Sequence, residues 1–219
     1  WWQKSNSAKW SDQFYAAMTA ADGTDPAAAE KALADLGTQS GGGYPMLAQF
    51  RRAALLAHDG KTDEALAAYD ALSTNQTDTH LRELALVLAS HLLVDKGDVA
   101  GVQQRVGGLL GPESTLKNAA QEVLGLTQYK SGDLQAAITT FQSIVDDPLA
   151  SRELRSRIQL FVSQLIAEGA KLPVAEADVP AADAPAADAP SVDAGTELDV
   201  TAPAASSAEV SSSSAPAAN

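Results

Sequence analysis

Apolar residues recur at intervals of three and four positions along residues 124–144, and this spacing is interrupted only around Gly132. Such a period places the apolar side chains on one face of an α-helix, so the stretch predicts two amphipathic helices joined by a turn. Gly125 and Ala137 are small, which lets two helix backbones approach closely. We therefore predict a helical hairpin with a buried face formed by Leu124, Gly125 and Tyr129 before the turn and Ala137, Phe141 and Ile144 after it.

Three further glycines divide the preceding chain in the same way. Gly23, Gly60, Gly97 and Gly132 are separated by 37, 37 and 35 residues. A hairpin that leaves one apolar face uncovered is stabilised by stacking on another hairpin, so this repeat predicts a stack of four. The residues expected in the core five and nine positions after the glycines are Ala28 and Ala32, Ala65 and Tyr69, Val102 and Val106, and Ala137 and Phe141.

Turn residues indicate where the individual helices begin and end. Segments such as DGTDP and DGKTDE interrupt the helical period, and Asp25 followed by Pro26 is typical of a helix start. A last helix over residues 151–169 has no second helix beside it, and we expect it to cap the open end of the stack. The other predicted helices cover residues 3–21, 26–36, 46–58, 64–72, 79–96 and 99–110, besides the two that meet at Gly132.

Composition separates the chain into two parts. Residues 172–219 consist almost entirely of Ala, Pro, Ser, Asp and Val, with no aromatic residue, Lys or Arg. Such a segment cannot bury enough apolar surface to offset the entropy lost on ordering, so we expect a disordered tail. Residues 1–171 then form one domain. The predicted fold class is an all-α solenoid of about four helical hairpins with a C-terminal capping helix.

The formal net charge of −13 is concentrated in the tail. Eight of the 28 acidic residues lie there, which leaves 20 acids against 15 bases in residues 1–171. We expect the tail to be solvated and to keep the protein soluble; the alternative is a docking segment for a basic partner. The sequence has no basic stripe with interleaved aromatic residues, so nucleic acid is not an expected partner.

Residue types that carry catalysis or bind metals are few in this sequence. There is no cysteine, and the three histidines, His58, His80 and His91, do not have ligand spacing on one helix. The sequence contains no HExxH motif, no GxSxG motif and no phosphate-binding loop, since GGGYP lacks the Lys and Ser or Thr that would follow. We therefore expect no catalytic residue, cofactor or metal, and interpret the protein as non-enzymatic.

The chain opens with Trp1 and Trp2, followed by Gln3 and Lys4, without an initiator Met or an apolar run of 18 residues. An aromatic pair beside a Lys is typical of the point where a transmembrane helix leaves the bilayer. One interpretation is that a membrane helix precedes this chain. The alternative is that the tryptophans, with Trp10, pack on the first hairpin.

The segment LGLTQYKSGDLQAAITTFQSI resembles the tetratricopeptide repeat, which has a period of about 34 residues. The other hairpins are stretched by two or three residues and lack the signature Trp. Over about residues 1–169 the chain is also similar to the tetratricopeptide-like domain of the YfgM-like family, the ancillary subunits of the SecYEG translocon. This similarity lies in WWQK, PAAAEKALADLG, GGGYPMLAQFRRAALLAHDGKTDEALAAYDAL, LRELALVLASHLLVD and RSRIQLFVSQL.

The resemblance implies an inner-membrane protein with one N-terminal transmembrane helix, missing from this chain, and a helical domain on the periplasmic side. Family members associate with the translocon and with periplasmic chaperones that receive emerging chains, and the same domain family includes cell-division coordinators. This chain departs from the family in lacking the membrane span and in its long Ala/Pro/Asp tail.

We therefore expect a protein–protein interaction module that assists secreted proteins at the Sec translocon. One alternative is a scaffold in another envelope assembly, for cell division or outer-membrane biogenesis; another is a small hydrolase or ligand-binding domain. The first helices of the hairpins would line a groove for an extended or helical segment. The alternative for the same side chains is packing between hairpins. The predicted groove residues are Phe50, Ala54, His58, Val87, His91, Glu122, Leu126 and Tyr129.

Overall fold

The computed structural model describes residues 2–23, 25–39 and 43–173. This part of the chain contains nine α-helices and no β-strand, and each helix packs against the next one in sequence. Trp1 and nearly all of the predicted tail, from residue 174 onwards, lie outside the described residues. The helices are α1 (Trp2–Ala21), α2 (Pro26–Gly37), α3 (Gly43–His58), α4 (Thr62–Asn75), α5 (Thr79–His91), α6 (Val99–Val106), α7 (Lys117–Ser131), α8 (Leu134–Val145) and α9 (Arg152–Ala167).

Short polar side chains fix where several helices begin. Asp25, Asp98 and Asp133 each accept a hydrogen bond from the backbone N–H three residues later, at 2.9, 2.9 and 3.0 Å. Ser151 does the same before α9 at 3.1 Å, and Asp78 accepts from two N–H groups at the start of α5. These bonds satisfy donors that the first turn of a helix leaves free.

Four glycines share one backbone geometry at the turns. Gly60, Gly97, Gly132 and Gly169 have φ angles between 62 and 100°, a left-handed conformation that glycine adopts without steric cost. The residue after each glycine donates its N–H to the carbonyl five residues earlier, which closes the preceding helical turn. Gly23 does not share this conformation. Sequence analysis missed Gly169, which follows Gly132 by 37 residues.

The first hairpin has a different register, so one of the sequence predictions is wrong. Ala28 and Ala32 are expected in the core, yet both are exposed. Ala29 and Leu33, one position later, are buried instead. The cause is a longer turn, because Asp25 caps α2 two residues after the glycine whereas the later Asp caps follow their glycines directly. The prediction is confirmed for Ala65 and Tyr69, Val102 and Val106, and Ala137 and Phe141, all of which are buried.

The bounds of several helices differ from the sequence predictions, and α4 covers Thr62–Asn75 where residues 64–72 were predicted. α3 begins at Gly43 and not at residue 46. α5 ends at His91, five residues early, because residues 92–97 form tight turns in which several N–H groups bond to carbonyls three residues back. α6 ends at Val106 and gives way to a 3₁₀ turn, so a long connection leads to α7.

Buried apolar side chains join each hairpin to its neighbours. Ala53 of α3 and Ala85 of α5 belong to one group, which therefore links the second hairpin to the third. Val87, Val102 and Val123 belong to another group, which links α5 and α6 to α7. Burying a valine-sized or larger apolar side chain contributes roughly 1.5–3 kcal/mol. Contact between hairpins therefore contributes directly to the stability of the domain.

Ion pairs also connect neighbouring hairpins. Arg105 of α6 donates to Asp70 of α4 from Nε to Oδ1 at 2.9 Å and from Nη2 to Oδ2 at 2.6 Å. Glu30 of α2 accepts from Lys61 at 2.8 Å and from Arg52 at 3.2 Å. The hydrogen bond from Lys61 lowers the pKa of Glu30, and the one to Asp70 raises the pKa of Arg105. Such directional contacts help to fix the register of one hairpin on the next.

The last helix closes the helical stack. α9 packs against α8, where the Phe161 and Phe141 rings stack with centroids 5.4 Å apart. The glycine cap after α9 matches those that follow α3, α5 and α7, so α9 takes the position of a further first helix. Most of its exposed residues are polar, as is usual for the terminal unit of a repeat stack.

We expect Gly125→Ala to destabilise the domain by about 1–3 kcal/mol. An added Cβ would lie 2.5 Å from Cε1 and 2.8 Å from Cδ1 of Phe141. That ring is completely buried and has no free space to move into. Urea denaturation followed by circular dichroism measures the loss. The matched control is Gly107→Ala, where an added Cβ meets no atom within 4 Å. An equal loss in both variants would contradict the prediction.

Candidate protein-binding groove

The eight predicted groove residues lie on α3, α5 and α7, the first helices of three successive hairpins. Residues at equal distances before the turn glycines are equivalent, because the positions seven and four before the glycine are buried in α3, in α7, in α9 and at the end of α5. Ten residues before the glycine lie Phe50, Val87 and Glu122, and six before it lie Ala54, His91 and Leu126; His58 and Tyr129 lie closer to the turns.

Packing between helices removes one of these residues from the candidate surface. Val87 is only 5% exposed and shares a buried group with Ala120 and Val123 of α7, which lies directly against α5. The prediction that Val87 lines a groove is therefore wrong. Phe50 and Leu126 are half-buried in the same manner, the former 6.4 Å from the Tyr69 ring between centroids.

Two other predicted residues, Ala54 and His58, line a cavity of about 510 Å³ between α1 and α3. The His58 ring is exposed, and its Nδ1 lies 3.3 Å from the carboxylate of the adjacent Asp59. Much of the wall is apolar, so the cavity can accept an apolar side chain. The other lining residues, which sequence analysis missed, are Met18, Ala21, Asp22, Gly23, Leu33, Arg51 and Leu55.

Sequence analysis also missed two exposed leucines on the first helices. Leu47 of α3 is 44% exposed and Leu84 of α5 is 37% exposed. Each lies 13 residues before its turn glycine, so they occupy equivalent positions on successive hairpins. Their equal distance from the turn glycines could have shown from the sequence that the two leucines are equivalent. The sequence did not show that no neighbouring helix covers this position.

Some of the charged side chains on these helices form ion pairs. Glu122 of α7 accepts two hydrogen bonds from Arg157 of α9, from Nε and Nη2, both at 2.9 Å. Lys130 of α7 lies 3.3 Å from Asp95, which is in the turn that follows α5. The Tyr129 hydroxyl donates to Glu168 at 3.0 Å, and this hydrogen bond raises the pKa of Tyr129. The pairing is partial, since Arg82 of α5 donates to backbone carbonyls and Glu83 accepts from the Ser114 hydroxyl instead.

The environment of His91 favours its neutral form. Its ring keeps an exposed edge but is surrounded by enough protein for desolvation to lower the pKa of His91. The carboxylate of Glu122 acts in the opposite direction and raises it. At neutral pH the ring can therefore offer both an uncharged donor and an acceptor to a bound segment.

The described residues contain no group of three side chains that could together hold a metal ion. Among the same residues, no helix is both long enough and apolar enough to cross a membrane. Comparison with known proteins found no match to this chain among protein-family models, curated proteins or solved structures.

We expect His91 to titrate below 6.5 and Glu122→Gln to lower its pKa further, because that change removes a carboxylate that favours the charged ring. A folded-state pKa below the unfolded one makes stability decline as the pH falls below about 6.5, until the folded-state pKa is passed. Two-dimensional NMR of the ring measures the titration. Asp59→Asn, beside His58, is the control and should leave His91 unchanged. A pKa at or above 6.5 in the wild type would disprove this account.

Proposed function

We propose that the protein is a non-enzymatic, tetratricopeptide-like solenoid that binds segments of other proteins along the first helices of its hairpins. The observation that carries this proposal is the exposure of Leu47 and Leu84 at equivalent positions, on the helix type that also lines the cavity beside His58. An apolar surface of this kind suits weak recognition of many apolar segments.

The pairing of charges supports the same choice of partner. Glu122 with Arg157, and Lys130 with Asp95, satisfy each other within the domain. A strongly charged segment that binds at these positions would have to break the two pairs, which are exposed on at least one side and contribute about 0–1 kcal/mol each. Segments that present apolar side chains and backbone groups meet no such obstacle. Such segments are exposed by chains that have not yet folded.

For the cellular role, we propose a module tethered to the inner membrane on its periplasmic side by an N-terminal transmembrane helix. It would assist secreted proteins at the Sec translocon, together with periplasmic chaperones. This part of the proposal rests on the similarity of residues 1–169 to the YfgM-like family. The mechanism would be transient retention of emerging segments, which delays their collapse or aggregation.

Photocrosslinking in cells tests both the surface and the role. We expect photoreactive side chains at His58, His91 and Tyr129 to trap translocon subunits and many different secreted proteins, because these positions are at least partly exposed. Mass spectrometry identifies the trapped proteins. The buried Val87 provides the matched control and should trap no partner. A single partner from another envelope assembly, recovered at all three exposed sites, would overturn the translocon proposal and favour a dedicated scaffold.

Purified protein allows a second test of the apolar surface. We expect Leu47→Ser combined with Leu84→Ser to weaken binding to a permanently unfolded, reduced and alkylated protein by about tenfold or more, since two apolar contacts are lost. Fluorescence anisotropy measures the affinity. The matched control is Leu149→Ser, because Leu149 is 86% exposed but lies in the loop before α9. Equal weakening in both variants would rule out a specific role for the leucine pair.

A further inference from the structure

Met18 of α1 brings a thioether to the cavity beside His58. The chain contains no cysteine and two methionines, so these two residues carry all of its sulfur. Met18 is half-buried and lines the cavity of about 510 Å³ between α1 and α3. The other methionine, Met46, is also half-buried but is not among the residues that line this cavity. The two methionines therefore share a similar exposure but differ in their surroundings.

A cationic side chain is in direct contact with the sulfur of Met18. Nε of Arg51, on α3, donates a hydrogen bond to the Met18 Sδ at 3.2 Å. Arg51 is exposed and lines the same cavity, so this contact lies near solvent and not in a closed core. A thioether sulfur is a weak acceptor, whereas the oxygen of a sulfoxide is polar and accepts strongly. The guanidinium of Arg51 therefore stabilises an oxidised Met18 more than an unoxidised one.

We propose that Met18 is a site of reversible oxidation to methionine sulfoxide by a peroxide. The sulfur attacks one peroxide oxygen through the lone pair that Arg51 does not engage, and the S–O bond forms as the O–O bond breaks. The sulfur gives up two electrons, and the proton of the transferred oxygen passes to the departing hydroxide, which leaves as water. The Nη groups of Arg51 can donate to the departing oxygen and stabilise the charge that develops on it. Methionine sulfoxide reductases reverse this change.

Oxidation of Met18 would change what the cavity accepts, and this consequence rests on the proposed function. The unoxidised cavity has apolar walls that include Leu33, Ala54 and Leu55. A sulfoxide adds a polar oxygen, which an apolar side chain entering the cavity would remove from water without offering it a hydrogen bond. Oxidised protein would therefore hold apolar segments more weakly, and a peroxide would promote their release.

Peptide mapping by mass spectrometry after treatment with hydrogen peroxide tests the site. In the folded protein we expect Met18 to be oxidised about threefold or more faster than Met46, and in urea both at equal rates, because only the folded state holds Met18 against Arg51. Arg51→Gln removes the cation and should abolish the difference. The matched control is Arg52→Gln, since Arg52 pairs with Glu30 instead, and it should keep the difference.

Circular dichroism verifies that both arginine variants are folded. Equal oxidation of the two methionines in the folded wild type would overturn the proposal that Met18 is the site. A difference that persists in Arg51→Gln would overturn the role of the guanidinium.

The affinity for a reduced and alkylated unfolded protein, measured after the peroxide is removed, tests the consequence for binding. We expect oxidised wild type to bind about fivefold or more weakly, because a polar oxygen then lies in the cavity wall, and a methionine sulfoxide reductase to restore the affinity. Met18→Leu cannot form the sulfoxide there, so peroxide should leave its affinity unchanged. Met46→Leu is the matched control and should lose affinity as the wild type does.

Equal losses in peroxide-treated Met18→Leu and wild type would overturn the consequence for the cavity. If unoxidised wild type does not bind the unfolded protein at all, the proposed function is wrong and this consequence is wrong with it. The peptide map is independent of that result and decides by itself whether Met18 is the site of oxidation.

Discussion

Coverage of one hairpin's apolar face by the next hairpin is the interaction on which the rest of this structure depends. A single pair of antiparallel helices cannot bury both of its faces, so it becomes stable only in a stack. This requirement explains a regularity of the structure. The residues four and seven positions before the left-handed glycines are all buried, and these glycines are Gly60, Gly97, Gly132 and Gly169. The left-handed glycine sets the direction in which the chain leaves each first helix. The buried side chains set which face of that helix packs against the neighbouring hairpin.

The burial of those positions also determines which side chains of the first helices remain exposed and could bind a partner. Positions farther round the same helices, such as those of Leu47 and Leu84, remain in contact with solvent because no neighbouring hairpin reaches them. Charged residues on first helices find partners on the next first helix, as Glu122 does with Arg157. Stacking thus leaves exposed apolar area on the first helices and pairs some of their charges. That combination is the physical basis for proposing loose, apolar recognition.

The sequence predicted the helical hairpins well because glycine and aspartate at the turns have local, recognisable roles. Gly132 and Asp133 cap the helices on either side of them through bonds within a few residues. Contacts between hairpins were harder to foresee. The one-residue shift that exposes Ala28 depends on the length of a turn, and the burial of Val87 depends on how closely α7 approaches α5. Which side chains are buried could therefore be known only from the three-dimensional structure, whereas the positions of the helices could be predicted from the sequence.

The two ends of the stack place different demands on the chain. At α9 most exposed residues are polar, although Leu160 and Ile166 are 73% and 45% exposed. At the first hairpin, exposed Ala28 and Ala32 line a groove that is in contact with solvent. Because different residues of α1 face this groove and the cavity beside His58, occupation of one leaves the other open.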